Sequence, residues 1–82
     1  MDRYFMGSVC VQKMNIQYFL LKEYFEGQEG HYGVSVELEG EQVTVRQITT
    51  SCKEIRELLD LLVRGQVTPV TVRDVVEDWL LR

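Results

Sequence analysis

Residues 32–48, YGVSVELEGEQVTVRQI, decide the fold of this chain. Tyr32, Val34, Val36 and Leu38 alternate with Gly33, Ser35 and Glu37, the period of two that gives a half-buried strand one apolar face. Glu39-Gly40-Glu41 predicts a tight turn, because Gly40 can supply the positive φ that a short hairpin needs. Gln42 to Ile48 continues as the partner strand, with Val43 and Val45 inward and Thr44 and Arg46 outward. The hairpin makes antiparallel sheet one half of the architecture.

Downstream the period lengthens. Thr49-Thr50-Ser51 ends the sheet, and Ser51 with Glu54 forms a capping box, giving partners to two amides that a helix start leaves unpaired. Ile55, Leu58, Leu59, Leu62 and Val63 make an apolar helical stripe, and Gly65 stands where a left-handed C-terminal residue is expected. Gln66 and Val67 link directly to a second helix, so the two helices must be neighbours. In Val67 to Arg82 (VTPVTVRDVVEDWLLR), Thr68 reads as the N-cap and Pro69 as the first helical residue. Val67 and Val72 occupy the two positions of a hydrophobic staple. Val72, Val75, Val76, Trp79 and Leu80 follow at i, i+3, i+4, i+7 and i+8, a second stripe for docking.

Upstream the pattern is less regular. Ile16 to Phe25 (IQYFLLKEYF), read as a strand, puts Ile16, Tyr18, Leu20, Lys22 and Tyr24 on one face. Gln17, Phe19, Leu21, Glu23 and Phe25 take the other. A helix would instead align Tyr18, Leu21 and Phe25, but the aromatic density favours the strand. Tyr4 to Val11 is a shorter, mixed strand with Phe5, Val9 and Val11 on one side, and Gln12 to Asn15 is its turn. Glu26 to His31 is a polar, glycine-containing connection. The expected fold is α+β, a three- or four-stranded antiparallel meander followed by two C-terminal helices packed on one face. Residues 1–82 make a single domain. Its expected core is Val34, Val36, Val43, Val45, Ile55, Leu58, Leu59, Leu62, Val72, Val75, Val76 and Trp79.

Composition narrows the function more than it defines it. The 82 residues are 45% hydrophobic and 27% charged, with a formal net charge of −4. Such a balance suits a globular domain and opposes a nucleic-acid surface, where clustered Lys and Arg are needed. No apolar run reaches the ~18 residues that cross a membrane, and the first residues lack the apolar core of a signal peptide. A cytoplasmic protein with Cys10 and Cys52 reduced is expected.

Catalytic and metal signatures are lacking. His31 follows Gly30 in a loop, without the partners that a general base or a metal set requires. Cys52 lies in the first turn of a capped helix, which favours a thiolate, but no second cysteine stands at CxxC spacing. Half-buried packing is the commoner role for it, and Cys10 reads the same way. Glu23, Glu26, Glu29, Glu37, Glu39 and Glu41 gather around the turns as a solvated acidic rim. No enzyme, cofactor or metal site is therefore expected. The helix–turn–helix spacing invites a nucleic-acid reading with Thr71-Val72-Arg73 on a recognition helix. Asp74, Glu77 and Asp78 on the same helix oppose it.

The aromatic surplus is the remaining clue. Helices on one face of a meander can bury only half of Tyr18, Phe19, Tyr24 and Phe25. Either the N-terminal segment covers the rest, or they form an interface. A homodimer through the sheet, centred on Tyr18, Phe19, Tyr24 or Phe25, is the expected assembly, with an unidentified protein partner as the other possibility.

Three segments resemble a known family: FLLKEYF (Phe19–Phe25), HYGVSVEL (His31–Leu38) and above all VTPVTVRDVVEDWL (Val67–Leu80). They are similar to short uncharacterised proteins of spore-forming, anaerobic Gram-positive bacteria, a domain of unknown function. In that family a strand-rich half ends in a glycine-linked hairpin. A helix then leads to a segment close to V-T/S-P-V-x-x-x-D-V-I/V-E-D-W/F-L. Val67, Thr68, Pro69, Val70, Asp74, Val75, Val76, Glu77, Asp78, Trp79 and Leu80 match it. The resemblance spans about residues 15–82 and implies one intact domain without an activity, a cofactor or a catalytic residue. The expected function is a small, non-enzymatic protein–protein interaction or regulatory module. The alternative is a nucleic-acid-binding regulator that uses the two C-terminal helices.

Overall fold

A computed structural model describes residues 1–27 and 30–82. Four strands run in chain order β1 (Asp2–Val11), β2 (Met14–Glu23), β3 (His31–Leu38) and β4 (Glu41–Thr49), each antiparallel to the next. Helices α1 (Cys52–Arg64) and α2 (Val72–Leu80) follow. The four-stranded meander with two C-terminal helices is the α+β fold expected. Gln28 and Glu29, part of the expected polar connection and acidic rim, lie outside the described residues. His31 opens β3 instead of sitting in a loop, opposite Glu23.

Two-residue turns close the outer hairpins. Gln12 and Lys13 have φ of 49° and 68°, Glu39 and Gly40 of 47° and 84°. Two successive positive φ values give the turn whose twist matches that of paired strands. Only the second turn carries the glycine that announces it. The first closes at Gln12-Lys13, so Met14 and Asn15 belong to β2 and not to the turn.

The helix-side face of the sheet carries the core. Ile16, Tyr18 and Leu20 of β2 and Val34 and Val36 of β3 meet Ile55, Leu58, Leu59 and Leu62 of α1. Val72, Val76 and Trp79 of α2 and the linker residue Val67 complete it, so Val67 and Val72 are both buried. Val43, Val45 and Val75, expected inside, are partly buried at its margin. Leu80 is 51% exposed, because the short α2 turns it outward past the last packed turn. Tyr18 also holds the helix linker, donating its buried hydroxyl to the Val67 carbonyl at 2.8 Å.

Two bulges set which side chains face where. The β1–β2 register shifts between Phe5 and Gly7, leaving Met6 as an extra residue. An inserted residue reverses the alternation beyond it. Phe5 therefore faces Phe19, on the opposite side from Val9 and Val11, and does not share their face as expected. On β4, Arg46, Gln47 and Ile48 stand opposite Gly33 alone, with Gln47 at φ 55°. That bulge brings Ile48 back to the core margin and presses β4 against β3. A Cβ on Gly33 would lie 2.4 Å from the Val45 carbonyl oxygen.

The helix ends depart from expectation in detail. The Ser51 hydroxyl accepts from the Glu54 amide at 3.1 Å, as a capping box requires. The return arm goes elsewhere: Glu54 accepts from the Thr49 hydroxyl, which also takes the Ser51 amide. At the C-terminus Gly65 stays right-handed (φ −83°), and Gln66 at φ 52° is the left-handed residue. Val67 then donates to Leu62 and Gln66 to Val63, the paired bonds of a Schellman ending. Before α2, the Thr68 carbonyl accepts from both Thr71 and Val72 at 3.1 Å, so a tight turn at Pro69–Thr71 precedes the helix. The Thr68 hydroxyl lies 3.3 Å from that of Thr71 and caps no amide. Thr71, not Thr68, is thus the N-cap.

Candidate functional site: the aromatic corner and the β1–α1 groove

The face of the sheet away from the helices is closed by its own side chains. The Arg3 guanidinium lies 3.7 Å above the Phe19 ring and bonds Glu37 at 3.0 Å. Phe5 meets Phe19 edge-on, with ring centres 5.7 Å apart. Buried Ser35 accepts from Gln42 at 2.9 Å and from Thr44 at 3.3 Å. Arg46 forks onto Glu23, its Nε 2.8 Å from one carboxylate oxygen, and holds that carboxyl below its usual range. Two members of the expected acidic rim, Glu23 and Glu37, are therefore ion-paired. The first strand supplies most of the cover over Phe19, one of the two arrangements left open for the aromatics.

The four aromatics of the expected interface separate. Tyr18 has no exposed surface and leaves the candidate set, since helix-side burial raises its phenol pKa and removes it from any partner. Phe19 is half-buried beneath Arg3 and Phe5. Tyr24 is 64% exposed, and Phe25 packs edge-on against His31 at 4.9 Å. Tyr4, Phe5 and Met6 at the start of β1 are exposed at the same end of the sheet.

This corner opens into a cleft of about 420 Å³ between β1, β2 and the first turns of α1. Tyr4, Tyr32 and Leu20 give it apolar walls, while Lys22, Arg56 and Cys52 give it polar ones. The Lys22 ammonium lies 4.9 Å from the Tyr24 ring centre and 5.5 Å from that of Tyr32. These phenols, Tyr24 first, hold it above the ordinary lysine range. A second cleft of about 380 Å³ runs on between Met6 and the α1 residues Arg56, Leu59, Asp60 and Val63. Sharing Met6 and Arg56, the two clefts form one groove along β1. Sequence reasoning left out Met6, Arg56 and the role of Lys22, because the β1 bulge and the α1 docking angle bring them together.

The other candidates take up ordinary positions. Cys10 and Cys52 are exposed free thiols, not half-buried packing groups. Among the described residues no three His, Cys, Asp or Glu side chains stand close enough to hold a metal ion. None of their helices is long and apolar enough to cross a membrane. On α2, Val72 is buried in the core and Arg73 points to the Thr44 carbonyl at 3.4 Å.

A small meander backed by two helices, with an open groove at its first strand, is thus the class of protein. The profile described as Family of unknown function (DUF6514) matches residues 8–82, and the chain belongs to that family. No curated protein and no solved structure matches it.

Proposed function

We propose that this chain is a small, non-enzymatic protein-interaction module of the cytoplasm in spore-forming, anaerobic Gram-positive bacteria. The supporting observation is the exposure of Tyr4, Phe5, Met6 and Tyr24 at one corner of the sheet. Grouped exposed aromatics are what partner surfaces use, since they bury large area at little entropic cost. Pull-down from the cytosol of such a bacterium tests the reading, with the chain and its Phe5→Ser/Tyr24→Ser variant as baits. A partner held by the first and lost by the second supports it, and identical retention removes it.

A homodimer is one form of this function. Its corner now comprises Tyr24 and Phe25 with Tyr4 and Phe5. Light scattering at micromolar concentration separates the two cases: a mass near 9.6 kDa counts against a dimer. The nucleic-acid alternative has its own test, a low-salt gel shift, in which the module reading requires no retardation of duplex DNA.

A further inference from the structure

We infer that the β1 edge and the groove beside α1 take an extended, acidic segment of another protein, added to the sheet as a fifth strand; the inference rests on the interaction reading above. The two edges of the sheet differ. On β4, the bulge at Arg46–Ile48 breaks the ladder, and Arg73 of α2 reaches the Thr44 carbonyl. On β1, nine residues pair with β2 alone, and the single bulged residue, Met6, leaves a four-residue and a five-residue run of paired edge on either side of it. An unpaired edge offers backbone donors and acceptors to an incoming strand, and flanking pockets then select its alternate side chains.

Charge selects the segment. The chain as a whole carries −4, yet Lys22 and Arg56 line the upper cleft with no carboxylate among its walls. Asp2, across the ladder from Lys22, stands at its rim, where it accepts from the Tyr4 hydroxyl at 3.5 Å. Asp60, the one acid of the lower cleft, is bonded to Arg64. Among the described residues, the ion pairs are Arg3–Glu37, Arg46–Glu23 and Arg64–Asp60, so Lys22 and Arg56 are in none. Two such cations beside aromatic walls complement an acidic ligand. The alternation of β1 places both chemistries. A residue opposite Tyr4 would point to the helix side, toward Arg56 and Lys22; one opposite Phe5 would point to the other face. The fitting sequence therefore alternates acidic with apolar residues.

The test is an amide NMR titration of the whole chain with a capped seven-residue peptide alternating glutamate and valine around a central phenylalanine. A lysine-for-glutamate counterpart serves as control. Amide shifts confined to β1 and the first half of α1, with the glutamate peptide only, are expected. Lys22→Glu/Arg56→Glu should weaken binding at least about tenfold, equivalent to about 1.4 kcal/mol. Arg56→Gln, a milder change, should give a smaller loss with the fold intact by circular dichroism. Equal binding of both peptides, shifts centred on α2, or the same shifts from pyrophosphate alone would each overturn the inference. Concentration-dependent β1 shifts without peptide would assign the edge to a second copy, overturning the acidic partner but not the interaction module. Peptide failure beside a pull-down partner lost by the corner variant likewise sinks this inference alone.

Discussion

At the scale of single residues, Gly33 and Glu23 carry the most definite consequences. A methyl group at Gly33 would collide with the backbone of β4, which cannot move without undoing the bulge that positions Ile48 and Arg46. Gly33→Ala should lower stability by about 1–3 kcal/mol in urea denaturation, the cost of forced overpacking. Gly40 has open space around its Cβ position, so the same change there should cost only the strain of its positive φ, about 1 kcal/mol. The Arg46 fork lowers the folded-state pKa of Glu23 below its unfolded value. Its stabilisation is thus complete above the unfolded carboxylate pKa, about 4.3, and disappears as pH falls through the lower folded value. The stability gap between the chain and Glu23→Gln should accordingly shrink as the pH falls from about 5 into the acid range. A gap constant over that range would contradict the assignment.

At the scale of elements, the helix ends make opposite predictions at similar-looking positions. Ser51 caps an amide and should cost about 1 kcal/mol on replacement by Ala. Thr68→Ala should cost clearly less in thermal denaturation, because its hydroxyl meets another hydroxyl instead. Gln66 holds a left-handed conformation that glycine adopts freely. Gln66→Gly should therefore raise the unfolding free energy by up to about 1 kcal/mol, and the midpoint with it. Only the geometry distinguishes these sites, since Gly65 next door appeared the natural cap.

At the scale of the molecule, one core on one face of the sheet carries the fold. A chain of this size buries a smaller fraction of its surface than larger domains do, so each large core side chain matters. Trp79→Ala should cost about 3–5 kcal/mol and Leu59→Ala about 2–5, from lost transfer energy and the cavity left behind. Both are over 90% buried. Chemical denaturation of the two variants checks this, and losses below about 1 kcal/mol would mean that the helices are not docked as described.

Much of this molecule is determined by sequence alone. The alternation of Val34, Val36, Val43 and Val45 imposes a hairpin, the stripe from Ile55 to Leu62 imposes a helix, and Ser51 sets its start. These are local periodicities, readable without knowing what lies opposite. Even the two faces of Ile16–Glu23 were legible, because a strand alternates whatever its neighbours are. What tertiary structure decided depends on partners distant in the chain. Tyr18 is secured by Val67, 49 residues away, and Arg3 covers Phe19 through Glu37, 34 residues on. The bulges at Met6 and Gln47 carry no composition signal, yet the one extra residue at Met6 reverses the alternation beyond it, while the two extra residues around Gln47 displace Ile48 and then restore it. That reversal sends Phe5 to one face and Tyr4 to the other, and with α1 docked alongside it makes the groove. The site was hidden because its walls, Tyr4, Lys22, Tyr32 and Arg56, come from four elements whose relative placement no local pattern encodes.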